Sequence, residues 1–478
     1  MTISGPTDGV SELVVVANRL PVEYSDDSAQ ARWRRSPGGL VSALEPALRG
    51  RRATWIGWSG QLPAEGEETL DLPDELDGLG IVGVDLTAEQ VELFYEGVSN
   101  GALWPLYHDA VATPAYHRLE YEAYHEVNRV FADAVAAQAP EGGTVWVHDY
   151  QLQLVPAMLR DARPDLRIGF FLHIPFPPVE LFAQLPWRRQ LLEGLLGADL
   201  VGFQTHDGAQ NFLGATRRLL GLEPGGDRVD VPDGSGHRTV RVQDFPIGID
   251  AEGFDALART PEVQARALEM RREMGGFRLL FLGVDRLDYT KGIDVRLRAF
   301  SEALEEGLLD ASDVTMLQVA VPSRGNVEEY QRIRDDIELL VGRVNGDLGR
   351  LGDPAIHYLH QPIPREELVA MYVAADVLLV TPLRDGMNLV AKEYIACRTV
   401  STGAVILSEF TGAAKQLEAA FIVNPYDIDA VKRALASAAG SSPEELTRRM
   451  EKLRANVFED DVDRWVRTFL ATLEGTVP

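Results

Sequence analysis

Short apolar runs alternate with longer helix-forming segments along most of the chain, a pattern typical of buried parallel strands connected by helices. In the first half, strands are predicted at Leu13–Leu20, Thr54–Trp58, Val145–His148, Arg167–His173 and Leu200–Gln204. In the second half, they are predicted at Phe277–Val284, Val314–Val321, Ile356–His360, Val377–Pro382 and Val405–Leu407. Two such series predict an α/β chain with two doubly wound domains, each a parallel sheet with helices on both faces.

The segment Pro246–Asp250 separates the two series of strands, and its Pro-Ile-Gly element is typical of a hinge. We therefore expect an N-terminal domain at residues 1–248 and a C-terminal domain at residues 249–455. Residues 456–478 contain an amphipathic helix, predicted at Val457–Leu473, whose apolar stripe needs a partner surface. We expect this helix to cross back onto the first domain; the alternative is that it is simply the last helix of the second domain.

The amino-acid composition limits the classes of partner that the protein is expected to bind. The 478 residues include 46 basic and 73 acidic side chains, and the net charge of −27 argues against a nucleic-acid or anionic-membrane surface. No apolar run reaches the roughly 18 to 20 residues of a membrane span, and the N-terminus lacks a signal-peptide pattern. Cys397 is the only cysteine, so an intramolecular disulfide is excluded. We expect a cytoplasmic protein.

The most informative candidate site follows the apolar run at residues 377–382. An Asp-Gly turn at Asp385 leads into a helix predicted from Met387 to Ala396. The N-terminus of a helix offers free N–H groups and a positive dipole end, which suit a phosphate. Asp385 and Glu393 can then hold hydroxyls at two ends of a nucleotide-sugar. The alternative is a strand–turn–helix whose two acids are solvated.

Polar residues also follow the other predicted strands, at the edge where doubly wound sheets bind their ligands. Any one cation there is more simply a surface charge, but four indicate two phosphate-bearing ligands. The four cations are Arg19, Arg286, Lys291 and Arg324, and the other residues at these positions are Asn18, Gly38, Gly39, His148, Asp149 and His173.

The sequence lacks the motifs by which several classes of cofactor are bound. No Gly-x-Gly-x-x-Gly follows the first strand, and the chain has no Walker motif. The spacing of His148 and His173 does not indicate a zinc site, and Cys397 offers no second thiolate. We interpret His148 as a core residue, and we expect no cofactor and no metal.

Taken together, the motifs resemble those of bacterial trehalose-6-phosphate synthases, which are retaining glycosyltransferases. The resemblance runs from about Leu13 to Leu473. It is carried by VVVANRLP, SPGGL, SNGALWP, VHDYQL, FFLHIPFP, GFQT, RLDYTKG and RDGMNLVAKE, in that order. It implies the GT-B arrangement: two facing Rossmann-like domains with an interdomain cleft.

The resemblance implies a donor site for a nucleoside-diphosphate glucose. Arg286 and Lys291 would bind the diphosphate, Glu393 the ribose hydroxyls. Asp385 and His173 would hold the transferred glucose. The implied donor-binding residues are Gly39, His173, Arg286, Lys291, Asp385, Gly386, Met387, Asn388, Leu389, Val390 and Glu393.

The resemblance also implies an acceptor site for glucose 6-phosphate. Arg324 and Arg19 would reach its phosphate, Asp149 and Gln204 its hydroxyls. The implied acceptor-binding residues are Arg19, Tyr95, Trp104, Asp149, Gln204 and Arg324, and the implied catalytic residues are Asp149, His173, Arg286, Lys291 and Asp385.

The implied reaction gives α,α-trehalose 6-phosphate by front-face attack, without a covalent intermediate. The alternatives are a transferase of the same fold with a glycerol-type or cyclitol phosphate as acceptor, or a catalytically silent sugar-phosphate sensor. UDP-, GDP- and ADP-glucose all stay open as donors, as does a homo-oligomer. The acidic segment at 61–90 has no role that we can assign from sequence.

Overall fold

Two α/β units, each built on a mainly parallel sheet, make up the chain in this computed structural model. Unit 1 takes Met1–Pro246 and Trp465–Pro478, and unit 2 takes Ile247–Arg464. The prediction of two doubly wound α/β domains is confirmed. The finer boundaries at 248/249 and 455/456 stay a prediction. The structure describes residues 13–24, 33–36, 41, 44, 48, 52–62, 72–76, 78–234, 236–323, 328–350, 352–400 and 402–475.

The sheet of unit 1 has nine strands within the described residues. The strands are β1 Leu13–Arg19, β2 Val22–Tyr24, β3 Trp33–Arg35, β4 Ala53–Trp58, β5 Glu75–Leu76, β6 Leu79–Gly83, β7 Thr144–His148, β8 Arg167–Phe171, β9 Leu200–Phe203, β10 Arg228–Asp233 and β11 Gly236–Asp244. Within the described residues, the order is β10-β11-β9-β8-β7-β1-β4-β6-β5, with β2 and β3 as a separate hairpin. β1 and β7 are apolar and buried along almost their whole length, because helices cover both faces of the sheet.

Helices connect these strands on both sides of the sheet. They lie at Ala88–Gln90, Trp104–Tyr107, Arg118–Gln138, Val155–Ala162, Val179–Phe182, Arg188–Leu195 and His206–Ala215, with π-helical segments at Val91–Leu103 and Thr216–Leu220 and a 3-10 turn at Tyr150–Leu152. Val41, Leu44 and Leu48 are also helical and buried. Their spacing is that of one helix face.

Unit 2 has a parallel sheet in the order β14-β13-β12-β15-β16-β17 within its described residues. Its strands are β12 Leu279–Arg286, β13 Val314–Val321, β14 Ile356–Leu359, β15 Val377–Val380, β16 Ala404–Ser408 and β17 Phe421–Val423. Its helices lie at Ala251–Ala258, Pro261–Glu273, Ile293–Glu305, Glu328–Leu348, Arg365–Ala374, Leu389–Cys397, Ile428–Gly440 and Pro443–Glu459, with 3-10 turns at Tyr289–Lys291 and Gly412–Lys415. The core lies between sheet and helices, where Phe281, Leu297, Phe300 and Leu379 are fully buried.

The edges of the unit 1 sheet differ from the prediction of purely parallel pairing. β10 pairs with β11, and β5 with β6, in antiparallel fashion. β10 is mostly exposed, so it lacks the apolar run that marks a buried strand. β6, in the acidic segment whose role was unassigned, pairs in parallel with β4.

The prediction of one helix at Val457–Leu473 is wrong, because two helices meet there. The first ends at Glu459 and the second runs over Val462–Glu474, separated by Asp460 and Asp461. The amide of Val462 donates to the carbonyl of Ile249 (3.1 Å), which holds the break in place.

The helix Val462–Glu474 covers part of the unit 1 sheet. The ring of Phe469 stacks on that of Trp146 in β7, with ring centroids 4.4 Å apart. The indole N–H of Trp465 donates to the carbonyl of Phe245 (3.1 Å). A Cβ on Gly169 in β8 would lie 2.8 Å from the Phe469 ring, so a glycine is required for this close approach.

None of the helices in the described part of the chain is both long and apolar enough to cross a membrane.

Candidate functional site

The strand order of each sheet has one point where the chain reverses direction, and the candidate residues lie beside it. In unit 1 this switch point lies between β1 and β7, and in unit 2 between β12 and β15. Loops leaving neighbouring strands in opposite directions open a crevice at the carboxyl ends of those strands, where ligands bind. Arg19 and Asp149 follow β1 and β7, while Lys291 and Asp385 follow β12 and β15.

In unit 2, Lys291 and Asp385 form an ion pair, with 2.7 Å between Nζ and Oδ2. Their side chains are only 11% and 14% exposed, so the pair is largely shielded from water. Asn388 Nδ2 also donates to Asp385 Oδ2 (3.2 Å). Two residues far apart in sequence are thus fixed at one switch point, as the strand-end argument predicted.

The turn that carries Lys291 is rigid. The Asp288 carboxylate accepts hydrogen bonds from the amide and hydroxyl of Thr290 (2.9 and 2.8 Å) and from the Tyr330 hydroxyl (3.0 Å). Gly292 ends the turn at φ +57°, where a Cβ would lie 2.2 Å from the carbonyl oxygen of Thr381. A side chain at that position would push the turn away from the end of β15.

The helix after Asp385 begins at Leu389, two residues later than predicted. Asn388 is its N-cap, with φ +95° and its Oδ1 accepting from the amide of Ala391 (3.0 Å). Gly386 and Met387 therefore belong to the turn, while Leu389 and Val390 form the first helical residues. The first-turn amides and the dipole make this end of the helix favourable for an anion.

A fully buried arginine that sequence reasoning missed connects these elements. Arg296 donates to the carbonyls of Lys291 (2.9 Å) and Leu379 (3.0 Å) and to the Thr381 hydroxyl (3.1 Å). Its guanidinium also lies 2.5 Å from the carboxylate of Asp285, which is almost fully buried. Arg296 thereby holds the loop after β12 against the end of β15.

Arg286 and Glu393 complete the predicted donor set in unit 2. Arg286 is the last residue of β12 and is exposed. Glu393 lies in the middle of the helix Leu389–Cys397 and accepts a hydrogen bond from the Tyr372 hydroxyl (2.8 Å). Burial raises the pKa of Glu393, and the hydrogen bond from Tyr372 opposes that shift.

In unit 1, two histidines near the ends of β7 and β8 form a neutral pair, in which His148 is fully buried and His173 partly buried. His148 Nδ1 lies 3.1 Å from His173 Nε2, and the rings of Trp146, Phe171 and Trp465 surround them. Burial lowers the pKa of His173 to about 3, and burial and His173 hold the pKa of His148 well below its usual range. His148 is a core residue, as predicted.

Asp149 adopts an unusual backbone conformation beside this pair. Its φ is +74°, and its Oδ1 accepts from the amide of His173 (3.2 Å). Among the described residues, four that are not glycine have positive φ, and two of these, Asp149 and Asn388, lie at the switch points. Such conformations cost roughly 1–3 kcal/mol, and they cluster at functional sites.

The predicted acceptor residues of unit 1 fall into two environments. The Arg19 guanidinium lies over the ring of Trp58 at 4.7 Å, and Tyr95 is close enough to affect the pKa of Arg19. Trp104 is buried, with its ring centroid 4.1 Å from that of His108, and Gln204 is buried just after β9. Gly39 and Arg324 lie outside the described residues.

Comparisons with known proteins cover nearly the whole chain. A model of glycosyltransferase family 20 matches residues 11–475. A trehalose-6-phosphate synthase of Mycolicibacterium gilvum (strain PYR-GCK) is 56% identical over 481 residues, covering 99% of this chain and 95% of the relative. One from Mycolicibacterium smegmatis (strain ATCC 700084 / mc(2)155) is also 56% identical, covering 98% of this chain and 93% of the relative.

A solved structure is similar over the same extent. It is an α,α-trehalose-phosphate synthase (UDP-forming) from Burkholderia xenovorans in complex with glucose-6-phosphate. It is 34% identical, with a TM-score of 0.88, and the match covers 97% of this chain and 100% of that one.

Proposed function

The chain belongs to glycosyltransferase family 20 and is an enzyme of trehalose-phosphate synthesis; we propose that it transfers glucose from a nucleoside-diphosphate glucose to glucose 6-phosphate. The product is α,α-trehalose 6-phosphate, and the anomeric configuration of the donor glucose is retained. The resemblance deduced from the sequence motifs is confirmed at the level of the family.

The strongest structural support is the Lys291–Asp385 pair at the N-terminal end of the helix Leu389–Cys397. A shielded ammonium group beside a helix N-terminus provides positive charge for a diphosphate, and a carboxylate beside it can accept hydrogen bonds from sugar hydroxyls. In this assignment Arg286 and Lys291 bind the diphosphate together with the backbone of Gly386–Val390. Asp385 then binds the transferred glucose.

Unit 1 provides the acceptor residues in this proposal, apart from Arg324, which belongs to unit 2. Arg19 binds the 6-phosphate, because it lies at the end of β1 with its guanidinium over the Trp58 ring. Asp149 binds hydroxyls of the acceptor. His173 is neutral, so it binds a hydroxyl of the transferred glucose without adding charge. The remaining predicted acceptor residues are Tyr95, Trp104, Gln204 and Arg324.

Bond exchange occurs on one face of the donor sugar. An acceptor hydroxyl forms a bond to the anomeric carbon while the bond from that carbon to the diphosphate oxygen breaks. The proton of the hydroxyl passes to an oxygen of the leaving diphosphate. Arg286 and Lys291 stabilise the charge that develops there, and this electrostatic effect supplies most of the rate enhancement.

The nucleobase of the donor can be uracil, guanine or adenine in this proposal. The structure from Burkholderia xenovorans is named as UDP-forming. UDP-glucose is therefore the first donor to test, with GDP- and ADP-glucose beside it.

The test is product analysis by NMR after incubation of the purified protein with each nucleotide-glucose and glucose 6-phosphate. We expect α,α-trehalose 6-phosphate and the free nucleoside diphosphate in equal amounts. Glycerol 3-phosphate and a cyclitol phosphate serve as competing acceptors. Transfer to one of these in preference to glucose 6-phosphate, or no transfer at all, would overturn the assignment.

A further inference from the structure

The side chain of Glu393 is held by a phenol from a neighbouring helix of unit 2. The hydroxyl of Tyr372, in the helix Arg365–Ala374, donates to Glu393 Oε2 at 2.8 Å. Among the described residues, Tyr372 is the one side chain that hydrogen-bonds this carboxylate. Each carboxylate oxygen accepts about two hydrogen bonds, so Oε1 and the second lone pair of Oε2 remain for other donors.

Tyr372 itself has little freedom to move. Its side chain is fully buried, and its ring makes an edge contact with that of Tyr394, with centroids 6.3 Å apart. Arg398, just after the Glu393 helix, donates to the carbonyls of Ala375 (2.7 Å), Val373 (2.9 Å) and Tyr372 (3.2 Å). The two helices are thereby joined at the end that carries Tyr372.

The polarity of this contact is fixed as well. Burial and, next, the charge of Glu393 raise the pKa of Tyr372 well above its usual value. The phenol thus keeps its proton and donates it to the Glu393 carboxylate. A hydrogen bond of this kind selects one rotamer of Glu393 before any ligand arrives, which lowers the entropy lost on binding.

We propose that Tyr372 is a positioning residue for the nucleotide donor: it holds Glu393 in the orientation that grips the two ribose hydroxyls. This inference rests on the proposed function, because it takes Glu393 as the ribose-binding residue. The preference for ribose over deoxyribose then depends on Tyr372, a residue that does not itself contact the nucleotide.

The experiment uses nucleotide binding, so it does not depend on turnover. Affinities of UDP, GDP and ADP and of their 2′-deoxy forms are measured by calorimetry for the wild-type protein, Tyr372→Phe and Tyr394→Phe. Tyr394→Phe is the matched control: it also removes a fully buried hydroxyl, but one that donates to the carbonyl of Asp376 (3.0 Å). Glu393→Gln is included to confirm that Glu393 reads the ribose.

We expect wild type to prefer the ribonucleotide, and Tyr372→Phe to lose about five- to twenty-fold in affinity for it, which is less than the full value of one hydrogen bond to a charged group because the lost bond is not made to the nucleotide itself. The 2′-deoxy nucleotide, which keeps only the 3′-hydroxyl for Glu393, should lose clearly less affinity on the same substitution. Tyr394→Phe should keep the ribose preference, and glucose 6-phosphate affinity should not change in either variant.

If Tyr372→Phe lost equal affinity for the ribonucleotide and for its 2′-deoxy form, or lost none, the positioning role would be overturned. A wild-type protein without ribose preference would overturn it too, by removing Glu393 from the ribose. Failure of the proposed glucosyl transfer would instead appear in the product assay while ribose preference persisted, so the two failures are distinguishable.

Discussion

Near the carboxyl ends of β7 and β8 in unit 1, two imidazoles are neutral and packed among aromatic rings. At the ends of β12 and β15 in unit 2, they are charged and paired with each other. His148 and His173 represent the first arrangement, and Lys291 and Asp385 the second. Both arrangements follow neighbouring parallel strands: β7 and β8 in unit 1, and β12 and β15, the strands at the switch point, in unit 2. The same fold element has therefore been given two different electrostatic environments.

The difference corresponds to two kinds of ligand group. An aromatic surround disfavours charge on an imidazole, which leaves a hydrogen-bonding group suited to uncharged sugar hydroxyls. Paired charges held in a shielded site suit a diphosphate whose charge grows during the reaction. Each unit also holds one residue other than glycine with a positive φ at its switch point, Asp149 or Asn388.

Removing Arg296, a buried cation of unit 2, should have the largest effect on the difference between the two units. Arg296→Met should lower the free energy of unfolding by about 3–5 kcal/mol, because Asp285 would keep a buried charge without a partner. Faster hydrogen exchange in peptides from β12 and β15 checks this, with peptides from β1 as the internal control. The double variant Asp285→Leu/Arg296→Met should recover much of the loss; no recovery would contradict the pairing argument.

Turnover tests whether the charges of unit 2 act on the diphosphate. Arg286→Ala should reduce kcat by about 100-fold or more, since one preorganised contact to developing charge is worth about 3 kcal/mol. Lys291→Ala should have a similar effect with glucose 6-phosphate binding intact. Arg278→Ala is the control, because Arg278 is an exposed arginine of unit 2 that pairs with Asp313. Near-normal kcat in folded Arg286→Ala would remove Arg286 from the mechanism.

Acceptor use tests the one predicted cation described in unit 1. Arg19→Ala should weaken use of glucose 6-phosphate by roughly ten- to a hundredfold, the value of one charge-assisted contact to phosphate. Unphosphorylated glucose, a poor acceptor, should be affected little. Arg167→Ala, at the opposite end of the sheet, controls for loss of charge. Equal losses with both acceptors would make Arg19 structural.

Acid should destabilise the histidine pair of unit 1. In the folded state both imidazoles have a lowered pKa, whereas in the unfolded state they take up protons below about pH 6.5. The contribution of the two neutral histidines to the free energy of unfolding is therefore fully present above pH 6.5. It falls as the pH drops towards 3, by up to about 1.4 kcal/mol per pH unit for each histidine. Urea unfolding at pH 7, 6 and 5 should show a shallower decline for His148→Phe than for wild type; identical slopes would contradict this.

Chelation should have the smallest effect. Because Arg286 and Lys291 can supply the positive charge that the diphosphate needs, we expect full activity after extensive treatment with EDTA. Loss of turnover that magnesium or manganese specifically restores would show that the paired charges of unit 2 are insufficient.

The central strands could be predicted because both of their faces are buried, which makes them continuous apolar runs. β13 agrees with its predicted bounds at both ends. The edge strand β10 could not be found this way, since most of its residues are exposed. The break at Asp460 was also missed, because the apolar stripe continues on both sides of it and the backbone contact to Ile249 is not visible in the pattern.

The strand-end rule placed the candidate residues but not their partners. Lys291 and Asp385 pair because β12 and β15 are neighbours in the sheet, an arrangement that chain order does not reveal. Arg296 did leave a signal: it lies on the same helix face as the buried Ile293, Leu297 and Phe300. A charged side chain on a buried helix face is almost always paired, so the position of Arg296 indicates a buried partner.

The helix Val462–Glu474 has a consequence for how the protein is made. The ribosome synthesises the strands of unit 1 before unit 2, and Trp465 and Phe469 after it. Until those two residues emerge, the sheet surface at Gly169 lacks the rings that cover it in the folded protein. Unit 2, whose residues emerge as one uninterrupted stretch, can therefore complete its core before the sheet of unit 1 receives the helix that covers it.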